Sequence, residues 1–400
     1  MTVQLIPTNP ERGENRDRRR RLLVLLPDLK GVGGGNVLSA WALQAVVLDH
    51  DVTILTSRPP VLEAVNRYAG TALAARSFRV ELVPGWARLL RRVWPTPIAL
   101  VHRHVLIRAA RKRAAEYDLV FSLENEVDVG RRALQYVHFP WGFWPRPEVD
   151  FRWYHLRGAV AAYYAVLRRI FPVSREGIAA NETLVNSDWT GRKFVEAYGG
   201  TTRTVFPPAP GRFPEVPWEE RLDRIVVAGR FSPEKALGKV IAIVEGVRAR
   251  GHSVTLLLAG TRERHGVIGR YADQILALAR ERSNWVDVRL DASRSELESI
   301  VAHSRWGLHG MAEEHYGMAI AEMVLAGCVP FVPEGGGAIE VVGELPEVRY
   351  ASVEDAVAKI VAVRSDPALL LRLRNALSAR RPFLGADRFI EAIRDAVARF

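Results

Sequence analysis

Two carboxylates stand out in the stretch AEEHYGMAIAEMVLAG, residues 312–327. Glu322 is the one polar side chain between Met318 and Ala326, and Glu314 lies eight positions earlier in a polar stretch. An unpaired buried carboxylate costs several kcal/mol, so Glu322 must find donors. Those donors are either an arginine or the hydroxyls of a sugar or ribose. A strand ending in RWGLHG, a loop AEEHYG and a helix of about ten residues, MAIAEMVLAG, would put both carboxylates at one strand end. The helix start at Tyr316 and Gly317 would offer free N–H groups to a phosphate.

Cations sit after a second strand, in GRFSPEK, residues 229–235. Ser232 and Pro233 read as an N-cap and first helical residue, which places Lys235 in a first turn. A lysine there opposes the helix dipole, and a nearby anion would explain it. Arg230 can grip a phosphate with two donors and Lys235 adds a point charge. The plainer alternative is two surface cations. A third place, LLPDLKGVGGGNVLSAW, is a strand, a glycine-rich turn and a helix start. There Gly34 and Gly35 let backbone N–H groups approach an anion. It is not a dinucleotide fingerprint, because Asn36 or Leu38 falls where Gly or Ala is required. The next strand also ends without an acid for the ribose. His138 follows another strand, and its alternative role is to cap that strand before Pro140. Glu124 and Glu126 follow a strand too. They could orient an acceptor hydroxyl or belong to a solvated turn.

These residues need strands to carry them. Short apolar runs at 21–27, 51–56, 81–83, 118–123, 134–139 and 183–187 alternate with helix-length segments such as 36–50. The stretch 205–218 breaks this series with five prolines. A second series follows at 223–230, 253–260, 284–290, 305–310 and 328–333. The expected fold is α/β: two Rossmann-like, doubly wound parallel-sheet domains facing across a cleft. The expected divisions are a disordered basic arm at 1–20, an N-terminal domain at 21–205 and a proline-rich hinge at 206–222. A C-terminal domain at 223–380 and a helix at 381–400 crossing back to the first domain complete them.

Bulk properties narrow the class. With 400 residues, 48% apolar and 25% charged, the chain suits two soluble domains. The single cysteine, Cys328, lies in the apolar run GCVPFV, where a buried inert thiol is expected, with no disulfide and no cysteine-based metal cluster. No signal peptide or membrane span is legible, so a cytoplasmic protein is expected. Net charge is +11, and only six of 56 basic residues are lysine. That bias reads as genome composition, so the distribution of charge is more informative than its sum. No acid occurs from Pro84 to Ala115, where Trp86, Arg88, Arg91, Arg92 and Trp94 interleave with aliphatic residues. A second acid-free window covers 151–175. Such windows suit an anionic membrane surface on the cytoplasmic face, nucleic acid, or a helix whose apolar side packs inward.

The motifs together carry a resemblance. E-H-Y-G-M-A-I-A-E resembles the E-x7-E pattern of retaining glycosyltransferases with the GT-B fold, glycosyltransferase family 4 (group 1). G-R-F-S-P-E-K is similar to that family's G-R-x-x-x-E-K element, in matching order and spacing. His309-Gly310-Met311, the GGG near the start and YVHFP (136–140) look like its lipid-linked oligosaccharide mannosyltransferases. The likeness is strong over about 220–345 and rests on short islands over 20–205. It implies that Glu314 holds the donor sugar and Glu322 the nucleotide ribose. It implies that Arg230 and Lys235 hold the diphosphate, with backbone N–H groups of Tyr316, Gly317, Gly34 and Gly35, and that His138 lies near the sugar. It implies a hexose moved from a nucleotide-sugar, GDP-mannose before UDP-sugars, to a lipid-linked or other glycan acceptor. No cofactor is expected, because the nucleotide-sugar is a substrate, and no metal, because no Asp-x-Asp follows a strand. Glu334 departs from relatives that carry a small or neutral residue there, which bears on the donor sugar. The rival readings are a GT-B sugar-nucleotide epimerase and a basic nucleic-acid-binding protein. The second gives Glu314, Glu322 and His138 no role, so no nucleic-acid partner is expected.

Overall fold

The computed structural model describes residues 19–30, 33–93, 99–141, 162, 165–166, 169 and 174–400. Among the described residues, thirteen strands form two all-parallel sheets, ordered β3-β2-β1-β4-β5-β6-β7 and β10-β9-β8-β11-β12-β13. The first sheet is built from β1 (Arg21–Leu25), β2 (Asp51–Thr56), β3 (Arg79–Leu82), β4 (Leu119–Ser122), β5 (Leu134–Val137), β6 (Glu182–Val185) and β7 (Thr202–Thr204). The second is built from β8 (Leu222–Ala228), β9 (Thr255–Gly260), β10 (Val286–Leu290), β11 (Ser304–Leu308), β12 (Val329–Pro333) and β13 (Arg349–Tyr350). These are two Rossmann-like domains. Strands such as β1, RLLVL, are near-continuous apolar runs because helices cover both faces of a parallel sheet.

Strand order reverses between β1 and β4 in the first sheet and between β8 and β11 in the second. At such a point the connections leave in opposite directions and open a crevice at the carboxyl ends. The glycine turn follows β1 and the 123–128 turn follows β4. Arg230 and Lys235 follow β8, and Glu314 follows β11. These four segments are thus delivered by the two switch points, while His138 follows β5.

Residues 205–217 contain no helix or strand. Prolines cannot donate to a ladder, so the chain crosses between domains here without joining either sheet. It returns at its end. The helix Ala386–Arg399 places Phe389, Ile393, Ala396 and Val397 in the core of the first domain, beside Val37 and Leu43. Arg394 Nε donates to the Ala45 carbonyl at 3.0 Å.

Three local expectations differ. The first helix runs Gly34–Val46, beginning inside the glycine turn because Gly33, at φ 108, redirects the chain just before it. The short edge strands β7 and β13 have no legible apolar run. The basic arm at 1–20 falls mostly outside the described residues. Arg19 and Arg20, however, are tied down: Arg20 Nη1 donates to the Val397 carbonyl at 2.9 Å, and Arg19 Nη2 to the carbonyls of Val47, Leu48 and His50. Cys328 is buried, and burial pushes its thiol up to about 12.

Candidate active site

The centre of the site is an ion pair between the two switch-point loops of the second domain. Lys235 Nζ lies 2.5 Å from Glu314 Oε2. Both side chains are mostly buried, at 22% and 16% exposure. His309 Nε2 is 3.0 Å from the same oxygen. Burial alone would raise the Glu314 carboxyl. The Lys235 ammonium, with the His309 ring second, overrides burial and holds it well below the usual carboxylate range. Burial lowers His309, so the ring is neutral near pH 7. The pair is therefore an anion held beside a cation.

The local route to Lys235 differs from the sequence reading. Ser232 does not cap an α-helix. Pro233–Lys235 is a single 3-10 turn closed by Ala236 in the left-handed region at φ 48, and the helix begins at Leu237. Ser232 Oγ donates to Glu234 Oε1 at 2.6 Å, which removes it from capping. The turn points Lys235 back toward Glu314 instead of leaving it on a helix face. Arg230 stays 58% exposed, with Nη2 3.3 Å from Glu234 Oε1.

Glu322 lies in the helix Met318–Ala326 and is 6% exposed. Its partner is Arg294, whose Nη1 lies 2.9 Å from Glu322 Oε1. Burial pushes this carboxyl up to about 7 against the pull of Arg294. Gly317 precedes the helix at φ 104, and a Cβ there would meet Ile320 Cδ1 at 2.7 Å. Glycine is thus needed both for the turn and for the packing. The Tyr316 side chain is buried against Phe206, with ring centroids 5.6 Å apart, so only its backbone can serve the site. Gly34 meets the same helix from the other domain: a Cβ on Gly34 would lie 3.1 Å from Met318 Cγ. Gly35 has open space around its Cβ position. Two helix N-termini, one from each domain, therefore converge, and each favours an anion.

The loop between Glu314 and Tyr316 is held from the first domain. His315 stacks on Phe139 at 4.5 Å and 15°, and its carbonyl accepts from Ser187 Oγ at 2.6 Å. Glu340 accepts the backbone N–H groups of Asp188 and Trp189 at 2.7 and 2.8 Å. It thereby satisfies the start of the helix Asp188–Tyr198 across the domain boundary.

In the first domain, His138 Nε2 lies 3.2 Å from the Leu123 carbonyl, and burial lowers the ring against that bond. The 123–128 turn is not solvated. Glu126 is 1% exposed, accepts from Trp141 N and Tyr198 Oη at 2.7 Å each, and lies 3.9 Å from Arg103 Nη2. Both bonds fall on Oε1, which ties the turn to internal structure, while Oε2 is buried without a hydrogen-bond partner among the described residues. Glu124 is half-buried, its N–H donating to Ser122 Oγ at 3.3 Å. Away from the site, the helix Gly85–Val93 exposes Trp86, Arg88, Leu89 and Arg92. The Arg91 side chain, Trp94 and most of the 151–175 window lie outside the described residues. Glu334 pairs with Arg349 at the sheet edge. Among the described residues no group of three or more His, Cys, Asp or Glu could hold a metal.

Sequence reasoning missed Arg294, Glu340 and Phe139 as supports. Arg294 sits in an ordinary capped helix start, Ser293 accepting from Glu296 N, and carries no local sign of its distant partner.

The two facing Rossmann-like domains form a GT-B frame, and residues 212–379 match the family described as "Glycosyl transferases group 1". Among curated relatives, the mouse (Mus musculus) GDP-Man:Man(3)GlcNAc(2)-PP-Dol alpha-1,2-mannosyltransferase is 28% identical over 177 residues, 40% of this chain. That match spans about a third of the mouse protein, 35%. Anabaena HepE, solved with UDP and glucose, shares the fold at TM-score 0.62 and 15% identity, covering 96% of this chain and 100% of that one. Sucrose-phosphate synthase from Thermosynechococcus elongatus gives TM-score 0.65 at 15% identity, covering 95% and 99%.

Proposed function

We propose that this chain is a retaining hexosyltransferase that moves mannose from GDP-mannose, or next a hexose from a UDP-sugar, to a lipid-linked or other glycan acceptor. The observation that carries this reading is the buried Lys235–Glu314 pair, set beside the convergent helix starts at Gly34 and Met318. The group 1 domain match and the printed activity of the mannosyltransferase relatives support it.

In this reading the bond between the anomeric carbon and the diphosphate breaks, and the electron pair leaves with the phosphate. Lys235, Arg230 and the two helix starts stabilise that charge, which is usually the largest catalytic term. Glu314 accepts hydroxyls of the sugar while positive charge builds at its ring. The acceptor oxygen bonds to the anomeric carbon on the face the phosphate leaves, and its proton passes to a phosphate oxygen. Metal-free stabilisation is part of the proposal. An epimerase would need no acceptor; analysis of products from nucleotide-sugar alone separates the two.

A thermal-shift screen with GDP-, UDP- and ADP-sugars tests the donor. A ligand at 100 times its Kd stabilises the fold by about 2.7 kcal/mol. GDP-mannose is expected to raise the melting temperature most. If no nucleotide-sugar shifts it, the reading fails.

Peripheral attachment to an anionic cytoplasmic membrane face is proposed on the exposed Trp86, Arg88, Leu89 and Arg92 of one helix. Among the described residues no helix is long and apolar enough to cross a membrane. Flotation with anionic liposomes is expected to carry the protein at low salt and release it at high salt. Absence from the float at low salt would remove this part.

A further inference from the structure

Arg294 is 11% exposed and is surrounded by oxygens and one ring. Its Nη1 donates to Glu322 Oε1 at 2.9 Å and its Nε to Glu298 Oε1 at 2.8 Å. Its Nη2 donates to the Pro210 carbonyl at 2.6 Å. The Tyr68 ring lies 5.5 Å from the guanidinium carbon. These partners come from four segments. Glu298 shares the helix Arg294–Ala302, Glu322 lies on the neighbouring helix, Pro210 is in the proline-rich crossing, and Tyr68 belongs to the first-domain helix Leu62–Ala69. Gly211, at φ 117, has no room for a Cβ, which would run into the same guanidinium. The crossing is therefore moulded around Arg294.

Resting on the function proposed above, we infer that Arg294 is the positioning residue for the ribose-binding carboxylate Glu322, holding it through a cage built from both domains and the segment that joins them. A planar fork fixed in several directions cannot rotate freely. It holds Oε1, which would leave Oε2 to accept ribose hydroxyls. Neither Arg294 nor the crossing need touch the nucleotide. Two of the cage's partners lie outside the helices of the second domain, so the ribose contact depends on how the first domain and the crossing sit.

The test uses GDP and 2′,3′-dideoxy-GDP, which lacks the hydroxyls Glu322 would bind, titrated calorimetrically against the full chain. Wild-type protein is expected to bind GDP at least tenfold more tightly than the dideoxy form. In Arg294→Met the GDP affinity should fall toward that of the dideoxy compound, so that removing the hydroxyls then costs under threefold. Arg294→Lys, which keeps a charge but not the fork, should recover part of the discrimination. It also carries the test if the methionine variant does not fold. Glu322→Gln should show the same loss, and Arg294→Lys with Glu322→Gln should lose no more than Glu322→Gln alone. Full discrimination in the Arg294 variants would overturn the inference, because a general structural role weakens both ligands equally. If wild-type protein binds no nucleoside diphosphate, it is the functional reading that fails.

Discussion

Lys235→Ala is expected to lower turnover by about 10²- to 10³-fold while the protein stays folded. That is the range for removing one preorganised donor from a developing oxyanion. The loss has two sources. Lys235 is a point charge held at the strand end where the diphosphate would sit, and Arg230, 58% exposed, is screened by water and cannot replace it. Lys235 is also the counter-ion of Glu314. Without it, burial acts on that carboxylate with only the neutral His309 nearby, and its proton affinity rises. The acid limb of the pH–rate profile should therefore move upward in the variant. Lys235→Arg should not restore the rate, since a planar fork does not fit the place of a compact ammonium between Glu314 and Met311. Steady-state kinetics with saturating donor measures this. Wild-type turnover in Lys235→Ala would exclude the assignment.

Glu314→Gln is expected to cut turnover by well over tenfold. Glutamine keeps the volume and one acceptor for Lys235, so the loop survives. In the proposed reaction it removes the negative charge opposite a sugar that becomes cationic, and it weakens the bonds to sugar hydroxyls. Hydrogen bonds to charged groups contribute about 1.5–3 kcal/mol, which corresponds to roughly ten- to more than a hundredfold in rate. The variant also has a signature in stability. The folded carboxyl is held well below its ordinary value of 4.5. Its ionised form thus adds stability above about pH 4.5, and that contribution is lost as pH falls through the folded value. Acid unfolding of Glu314→Gln should be flatter over that range. Equal acid profiles in the two proteins would place the Lys235 pairing outside the stability of the fold.

The two effects share a cause that no single segment reveals. Lys235 and Glu314 are 79 positions apart, and Arg294 and Glu322 are 28 apart. Only Glu322 stands as a lone charge in its own stretch, and none of the four carries a local sign of its partner. The apolar runs that became strands were legible because a parallel strand buried on both faces must be almost wholly apolar. The strand-end placement of the charges was legible because loops in such sheets leave from a known side. The E-x7-E spacing marked Glu314 and Glu322 before any partner was known.

What could not be read was decided by packing between distant segments. The edge strands β7 and β13, of three and two residues, have too few positions for any period to show. The polar turn at 123–128 reads as solvated because its residues are acidic, yet Glu126 is buried where Trp141, Tyr198 and Arg103 meet it. The 3-10 turn at Pro233–Lys235 contains the residues of a helix start, and its geometry is set by Ala236 turning left-handed. The sequence by itself determined two parallel-sheet domains, the crossing between them, and which charged residues stand at the strand ends. Only the tertiary structure decided that Glu322 is answered by Arg294, that Lys235 turns back to Glu314, and that His315 leans on Phe139. Local periodicity encodes which side of an element is buried. The identity of the buried partner depends on which distant surface arrives there, and that is fixed only when the two domains close on one another.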